Sequence, residues 1–287
     1  MQLSRDTVRE RLSSIGLGLF PVPLDKHAQD DAFSRHFIQS IYGGNIQQTS
    51  PTIIEKYYQK TGIRDFLYLN LLFHPHAPEV PGAPGMYFSI GRYPAGEWDE
   101  LMTLFTRLDS NIWGYMGLYQ MTPAPSLTKE EWREQSEKMQ NTWANAICKD
   151  SWGDRVRARI LCRKQLGRVS TQEEEDEAYA DKTFMTVKPE EVRQAFLNGE
   201  ELLRVWTMKC VGYNPDLQLN LIENFKTWVP KKRAKGTKKS KPRGKKSGRG
   251  GGSTTGRKRK RQEPESEPET DDEGADQDVV VLGDDEE

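Results

Sequence analysis

Lysine and arginine dominate residues 231–261, where sixteen basic residues occur without a single Asp or Glu. Cationic side chains clustered in this way neutralise phosphates and release the counterions that surround nucleic acids. We therefore predict that this basic segment contacts the phosphate backbone of DNA or RNA. The residues assigned to that contact are Lys231, Lys232, Arg233, Lys241, Arg243, Lys245, Lys246, Arg249, Arg257, Lys258, Arg259, Lys260 and Arg261.

Two parts of the basic segment, residues 231–233 and 257–261, also have the composition of a nuclear-localisation signal. We expect a nuclear protein with importin as a partner, and the alternative is that the segment serves import alone. Residues 242–245, Pro-Arg-Gly-Lys, resemble the core of an AT-hook. They depart from it because Lys246 stands where that motif has its second proline.

The formal net charge of −1 hides blocks of opposite sign, because residues 263–287 carry thirteen Asp and Glu and no Lys or Arg. An acidic block beside a basic one can pair with it within the chain. We hypothesise that the acidic segment competes with nucleic acid for the basic segment.

Four consecutive aliphatic residues interrupt the acidic segment: Val279, Val280, Val281 and Leu282. This pattern resembles a SUMO-interacting motif, in which a short aliphatic strand adds to a sheet edge and flanking acids meet basic residues of the partner. We predict SUMO or a SUMO-modified protein as a further partner. The alternative is a chance hydrophobic patch.

An aromatic group, Tyr87, Trp113, Tyr115 and Tyr119, can form a pocket that stacks on a base or cages a methylated side chain. In an extended strand, the last three of these residues share one face. The alternative is that all four belong to the core. Gly114 and Gly117 in the same segment predict a β-bulge or a close approach of two backbones.

Six basic residues between Arg155 and Arg168 have Asp154 as their one nearby acid. Two structures remain open for residues 155–166, because the arginines share one side of a strand or form one row on a helix. One interpretation is a surface that faces phosphate. The other, which we favour, is a solvated face paired with the acids of residues 173–177.

The chain contains four histidines and three cysteines: His27, His36, His74, His76, Cys148, Cys162 and Cys210. No CxxC pair occurs, and the His74-Pro-His76 sequence ligates a metal only with further ligands that the pattern does not supply. We therefore expect reduced thiols, no metal, no cofactor and no assigned catalytic residue.

Apolar segments at 66–73, 86–90, 112–121 and 202–211 are typical of strands, while 101–108 fits strand or helix. A helix is predicted from Asp31 to Ile41, and another follows the capping box at Thr128 and continues to Ile147. The fold class is therefore α+β: a single mixed domain with a sheet of four or more strands flanked by helices, followed by a disordered C-terminal tail.

The composition divides the chain into four parts. We predict a helical N-terminal segment at 1–63 packed on an α+β domain at 64–229, a basic disordered segment at 230–262 and an acidic disordered tail at 263–287.

Five short stretches resemble a known family: PGAPGMYF at 81–88, WGYMGLY at 113–119, LTKEEW at 127–132, AFLNGE at 195–200 and MKCVGY at 208–213. They are similar to the fungal (basidiomycete) domain of unknown function 6697, over approximately residues 64–219. The resemblance implies family membership and supplies no activity, so it assigns no functional residue.

These patterns indicate a nuclear binding protein that associates with chromatin or nucleic acid through its basic segment, has a SUMO-interacting C-terminus and has no membrane partner. We expect a binding protein rather than an enzyme. Two alternatives remain: an enzyme acting on nucleic acid with its site near the loop at 74–87, and a protein-interaction scaffold.

Overall fold

Six strands and ten α-helices form in the part of the chain that the computed structural model describes, residues 3–90 and 101–230. The strands are β1 (Ala32–Phe33), β2 (Phe66–Asn70), β3 (Gly85–Ser89), β4 (Met102–Asp109), β5 (Ile112–Ala124) and β6 (Arg204–Gly212). The helices are α1 (Arg5–Ser13), α2 (Lys26–Asp30), α3 (Arg35–Tyr42), α4 (Glu55–Thr61), α5 (Lys129–Arg133), α6 (Glu137–Lys149), α7 (Asp154–Leu166), α8 (Gln172–Ala180), α9 (Pro189–Asn198) and α10 (Pro215–Phe225).

The strands make one mixed sheet in the order β2-β4-β5-β6-β3, and β1 pairs with the start of β5. The β2–β4 pair is parallel and the other pairs are antiparallel. The predicted α+β fold is confirmed. The segment predicted as strand or helix at 101–108 belongs to β4 from Met102 onward. The predicted disordered tail lies outside the described residues.

Three apolar clusters cover the two faces of the sheet, because alternate residues of each strand point to opposite sides. On one face lies the central cluster, which includes Leu67, Leu69, Leu104, Tyr119 and Met208. The other face carries the aromatic cluster, with Phe37, Phe66, Tyr68, Phe105 and Tyr115, and the helical cluster, with Phe88, Trp143, Ile160, Phe196 and Val205.

Residues 155–166 are helical, which resolves the choice that the sequence left open. Asp154 lies in the first turn of α7, and Gly167 ends the helix with a left-handed φ of 68°. Seven consecutive residues, Val156–Cys162, are buried. The alternation of arginine with apolar residues therefore does not reflect a two-sided strand, because α7 is enclosed on most of its circumference.

Two predicted helix boundaries were wrong. Residues 32–33 pair with β5 as β1, so the helix predicted from Asp31 begins only after Ser34, whose side chain accepts from the amide of Phe37. The helix predicted from Thr128 to Ile147 is two helices, because Ser136 caps a new start by accepting from the amide of Met139.

Within residues 3–90 and 101–230, no helix is both long and apolar enough to cross a membrane.

Candidate functional site

The loop that contains His74 and His76 covers the outer edge of β3. The amide of Met86 donates to the carbonyl of His76 at 2.7 Å, and the amide of Phe88 donates to Nδ1 of His74 at 3.3 Å. The other edge of β3 pairs with β6. The two residues thus supply acceptors where a neighbouring strand would otherwise lie.

Burial lowers the pKa of His74 to about 3, so this imidazole is neutral at physiological pH. The pKa of His76 is also lowered, by burial and then by nearby positive charge, and its Nε2 accepts from the amide of Leu3 at 3.3 Å. In each imidazole, the nitrogen lone pair therefore accepts a hydrogen bond from a backbone amide and is not free to contact a substrate.

Lowering the pH from 8 to 5 is expected to destabilise the protein by about 2 kcal/mol through His74. Its folded pKa of about 3 lies below the ordinary value of 6.5, so the unfolded chain takes up the proton first. This contribution to stability is present in full above pH 6.5 and is lost as the pH falls towards 3. Urea unfolding at the two pH values measures it.

The matched variants are His74→Asn, whose amide oxygen can replace Nδ1 as acceptor, and His27→Asn at an exposed position. His74→Asn should flatten the pH dependence between 8 and 5, and His27→Asn should leave it unchanged. An undiminished pH dependence in His74→Asn would contradict the assignment.

The cysteines and other possible metal ligands do not form a cluster in the described residues. Within them, no group of three or more His, Cys, Asp or Glu side chains is close enough to hold a metal ion. The three cysteines are free, and burial raises the pKa of the thiols of Cys148, Cys162 and Cys210. A raised pKa disfavours the nucleophilic thiolate.

The four aromatic residues singled out in the sequence are divided between the faces of the sheet. Trp113 and Tyr115 pack in the aromatic cluster, whereas Tyr119 and Tyr87 pack in or against the central cluster. Tyr115 and Tyr119 have no exposed surface. The four therefore do not line a common pocket.

A β-bulge explains this division. The register between β4 and β5 shifts between the pairs Leu104–Gly117 and Phe105–Tyr115, which leaves Met116 as an extra residue. Side chains before and after the bulge therefore no longer alternate in phase. The bulge predicted from the glycines is confirmed, and Gly117 has a φ of 127°.

The hydroxyl groups of the two buried tyrosines are used inside the protein. Tyr119 donates to the carbonyl of Ala83 at 2.7 Å, and the Tyr115 oxygen accepts from the amide of Asn214 at 3.1 Å. These bonds attach the loop before β3 and the start of α10 to β5, so the tyrosines have a structural role here.

The basic residues of α7 and Arg168, which follows it, form the α7 basic row and are paired with carboxylates from several elements. Arg159 meets Glu201 at 2.7 Å with both side chains buried, and Arg163 meets the same carboxylate at 3.0 Å. Further pairs join Arg155 to Asp176, Arg157 to Asp154, Lys164 to Glu191 and Arg168 to Glu174. A phosphate approaching this row would compete with carboxylates already in place.

A different cationic site lies where α3 begins beside the turn between β4 and β5. This pocket, of about 210 Å³, is lined by Arg35, His36, Ile46, Arg107, Ser110, Asn111 and Trp113. Ser34 caps α3 and so places Arg35 and His36 in its first turn. Asn111 has a left-handed φ of 54°, a conformation that asparagine tolerates, and it closes the strand turn.

Arg35 is held by hydrogen bonds and by aromatic rings. Its Nη2 donates to the carbonyls of Asn45 and Gln48 at 2.8 and 3.0 Å. The guanidinium carbon lies 2.9 Å from the ring centroid of Tyr68 and 5.5 Å from that of Trp113. Burial lowers the pKa of Arg35 to about 10, which leaves it charged at neutral pH.

No pattern in the sequence indicated this pocket. The residues next to Arg35 in the sequence do not predict its burial, because that burial depends on the rings of Tyr68 and Trp113, which are distant in the sequence. The predicted nucleic-acid contacts from Lys231 to Arg261, and the aliphatic patch at residues 279–282, lie outside the described residues.

A family model described as "Domain of unknown function (DUF6697)" matches residues 32–224. The match begins before residue 64, where the expected resemblance started, and it includes every residue that lines the Arg35 pocket. It ends before the basic segment. No curated protein and no solved structure matches the chain.

Proposed function

Because the chain belongs to the DUF6697 family, whose description gives no activity, we propose a function from the chain's own residues. The protein is a nuclear binding protein that associates with nucleic acid or chromatin through the basic segment 231–261. Importin recognises the basic clusters at 231–233 and 257–261. The aliphatic patch at 279–282 binds SUMO or a SUMO-modified protein.

The observation that carries this proposal is the sixteen Lys and Arg of residues 231–261, which occur without any intervening carboxylate. Phosphate contacts of this kind supply affinity without reading sequence. The α7 basic row supports the assignment by contrast, because each of its cations already has a carboxylate partner. The basic segment is thus the better candidate for the phosphate backbone.

Replacing all sixteen basic residues of 231–261 with glutamine is expected to weaken binding to duplex DNA at least a hundredfold at 50 mM salt. The reason is that each neutralised phosphate contributes to counterion release. Fluorescence anisotropy of a labelled duplex at 50 and 200 mM salt measures both the affinity and its salt dependence, which should fall in the variant.

The matched control replaces the thirteen Asp and Glu of 263–287 with their amides. This variant keeps the basic segment and should bind DNA more tightly if the acidic segment competes for it. Equal affinity and equal salt dependence of the native chain and the basic-to-glutamine variant would refute nucleic-acid binding by the basic segment.

A further inference from the structure

Three arginines are buried in the described part of the chain, and they differ in their counter-charges. Arg157 and Arg159 pair with Asp154 and Glu201. Arg35, which is 5 % exposed, has no carboxylate partner among the described residues. A buried charge without a compensating ion is costly. We propose that the Arg35 pocket binds a phosphate group, which supplies the missing negative charge.

The unused donors of Arg35 support this proposal. Nη2 is occupied by two carbonyls, and Nε and Nη1 have no hydrogen-bond partner among the described residues. Unlike Nε and Nη1 of Arg11, however, these two atoms are not sealed from solvent. The pocket that Arg35 lines provides that access, so Nε and Nη1 can each donate a hydrogen bond to a ligand.

Arg107, on β4, adds a second cation to the lining of the pocket. Its Nε donates to the carbonyl of Asp109 at 3.2 Å, which fixes the guanidinium at the turn. It forms no ion pair with a described carboxylate, and none of the residues that line the pocket is acidic. Two guanidinium groups without acids suit a phosphate. Nη1 and Nη2 of Arg107 can donate two parallel hydrogen bonds to its oxygens, and Arg35 can add single hydrogen bonds from Nε and Nη1.

The backbone at the start of α3 also favours an anion in the pocket. Arg35 and His36 occupy the first turn, where amides have no carbonyl acceptor within the helix. The helix dipole also favours an anion at this end. Ser110 and Asn111 add polar side chains from the facing turn.

The size of the pocket limits the ligand. Its volume of about 210 Å³ is smaller than the roughly 300 Å³ at which sites for drug-sized ligands begin. It therefore holds one phosphate together with a small part of the group that carries it. Trp113 and Ile46 offer an apolar wall to that group, so a nucleotide is the favoured source and free phosphate is the alternative.

This site goes beyond the proposed function, because it lies in the domain and does not use the basic segment. Its test must remove the phosphate affinity of that segment. The background is therefore the full-length basic-to-glutamine variant, so failure of the pocket and failure of the proposed function give separate results.

Isothermal titration calorimetry at constant ionic strength would use adenosine monophosphate, inorganic phosphate and adenosine as probes. We expect adenosine monophosphate to bind at least tenfold more tightly than adenosine, because a hydrogen bond to a charged group contributes about that factor. Arg107→Gln should weaken the binding of adenosine monophosphate about tenfold. Arg9→Gln, the same change at an exposed site on α1, should have no effect.

The probes also separate the two sources of phosphate. Tighter binding of the nucleotide than of inorganic phosphate supports a nucleotide ligand, and equal binding supports free phosphate. Arg107→Gln is preferred to a change at the buried Arg35 because the Arg107 side chain is only half-buried. The unfolding midpoint of Arg107→Gln should match that of Arg9→Gln. Absence of binding, equal affinity for adenosine and its monophosphate, or unchanged affinity in Arg107→Gln would overturn the proposal.

Discussion

Replacing Glu201 with glutamine is expected to lower the free energy of unfolding by about 3–5 kcal/mol. Glu201 accepts from Nε and Nη2 of Arg159 and from Nη2 of Arg163, and its side chain is 6 % exposed. Glutamine keeps one oxygen acceptor but presents an amide NH₂ to the guanidinium. Arg159 would then remain buried without a counter-charge.

Urea unfolding monitored by circular dichroism measures the loss, and Asp176→Asn is the matched control. Asp176, on α8, pairs with Arg155, which is on α7 like Arg159. Both side chains of this pair are about half exposed. A surface pair contributes much less to stability than a buried one. Similar losses in the two variants would show that burial does not decide the strength of these pairs.

A double variant separates the ion pair from simple packing. Arg159→Met combined with Glu201→Leu removes both charges and should recover much of the stability lost in Glu201→Gln, since apolar replacement of a buried pair is often neutral. A double variant less stable than Glu201→Gln would instead mean that the pair itself contributes net stability.

Gly117→Ala is expected to destabilise the protein by about 3 kcal/mol, because two costs coincide at the bulge of β5. The φ of 127° lies in a region that residues with a side chain rarely adopt. An added Cβ would also lie 2.8 Å from Sγ of Cys210 and 2.9 Å from the carbonyl oxygen of Gly212. The second contact is with backbone and cannot be relieved by a rotamer change.

Gly62→Ala is the control that isolates the conformational cost. Gly62 has a φ of 68° at the end of α4, and no atom lies within 4 Å of the position of its Cβ. The Gly62→Ala variant should lose about 1 kcal/mol of unfolding free energy. Thermal and urea unfolding of both variants would compare them, and equal losses would refute the steric cost at Gly117.

Local signals in the sequence account for much of the fold. The capping box at Thr128, the proline that starts α9 and the glycine that ends it all act within a few residues of the chain. The apolar strands were likewise recognisable, because each needs only its own alternation or length. These features explain why the α+β class and several element boundaries were predictable.

Contacts between distant residues account for what the sequence did not reveal. Glu201 lies 42 positions from Arg159, so no spacing rule links them. The bulge at Gly117 was expected, but its consequence for Tyr119 depended on which residue became the extra one. The Arg35 pocket needs α3 and the β4–β5 turn to meet, which only the folded chain specifies.

The covered edge of β3 has a consequence for how this domain meets other proteins. Open sheet edges recruit strands from other chains, whether in regulated binding or in aggregation. At β3 the amides of Met86 and Phe88 are already engaged, and at β2 the amide of Tyr68 donates to the carbonyl of Thr49 at 2.8 Å. The domain is therefore a poor acceptor for an incoming strand at these positions. Any pairing through residues 279–282 would make this chain the donor and its partner the template.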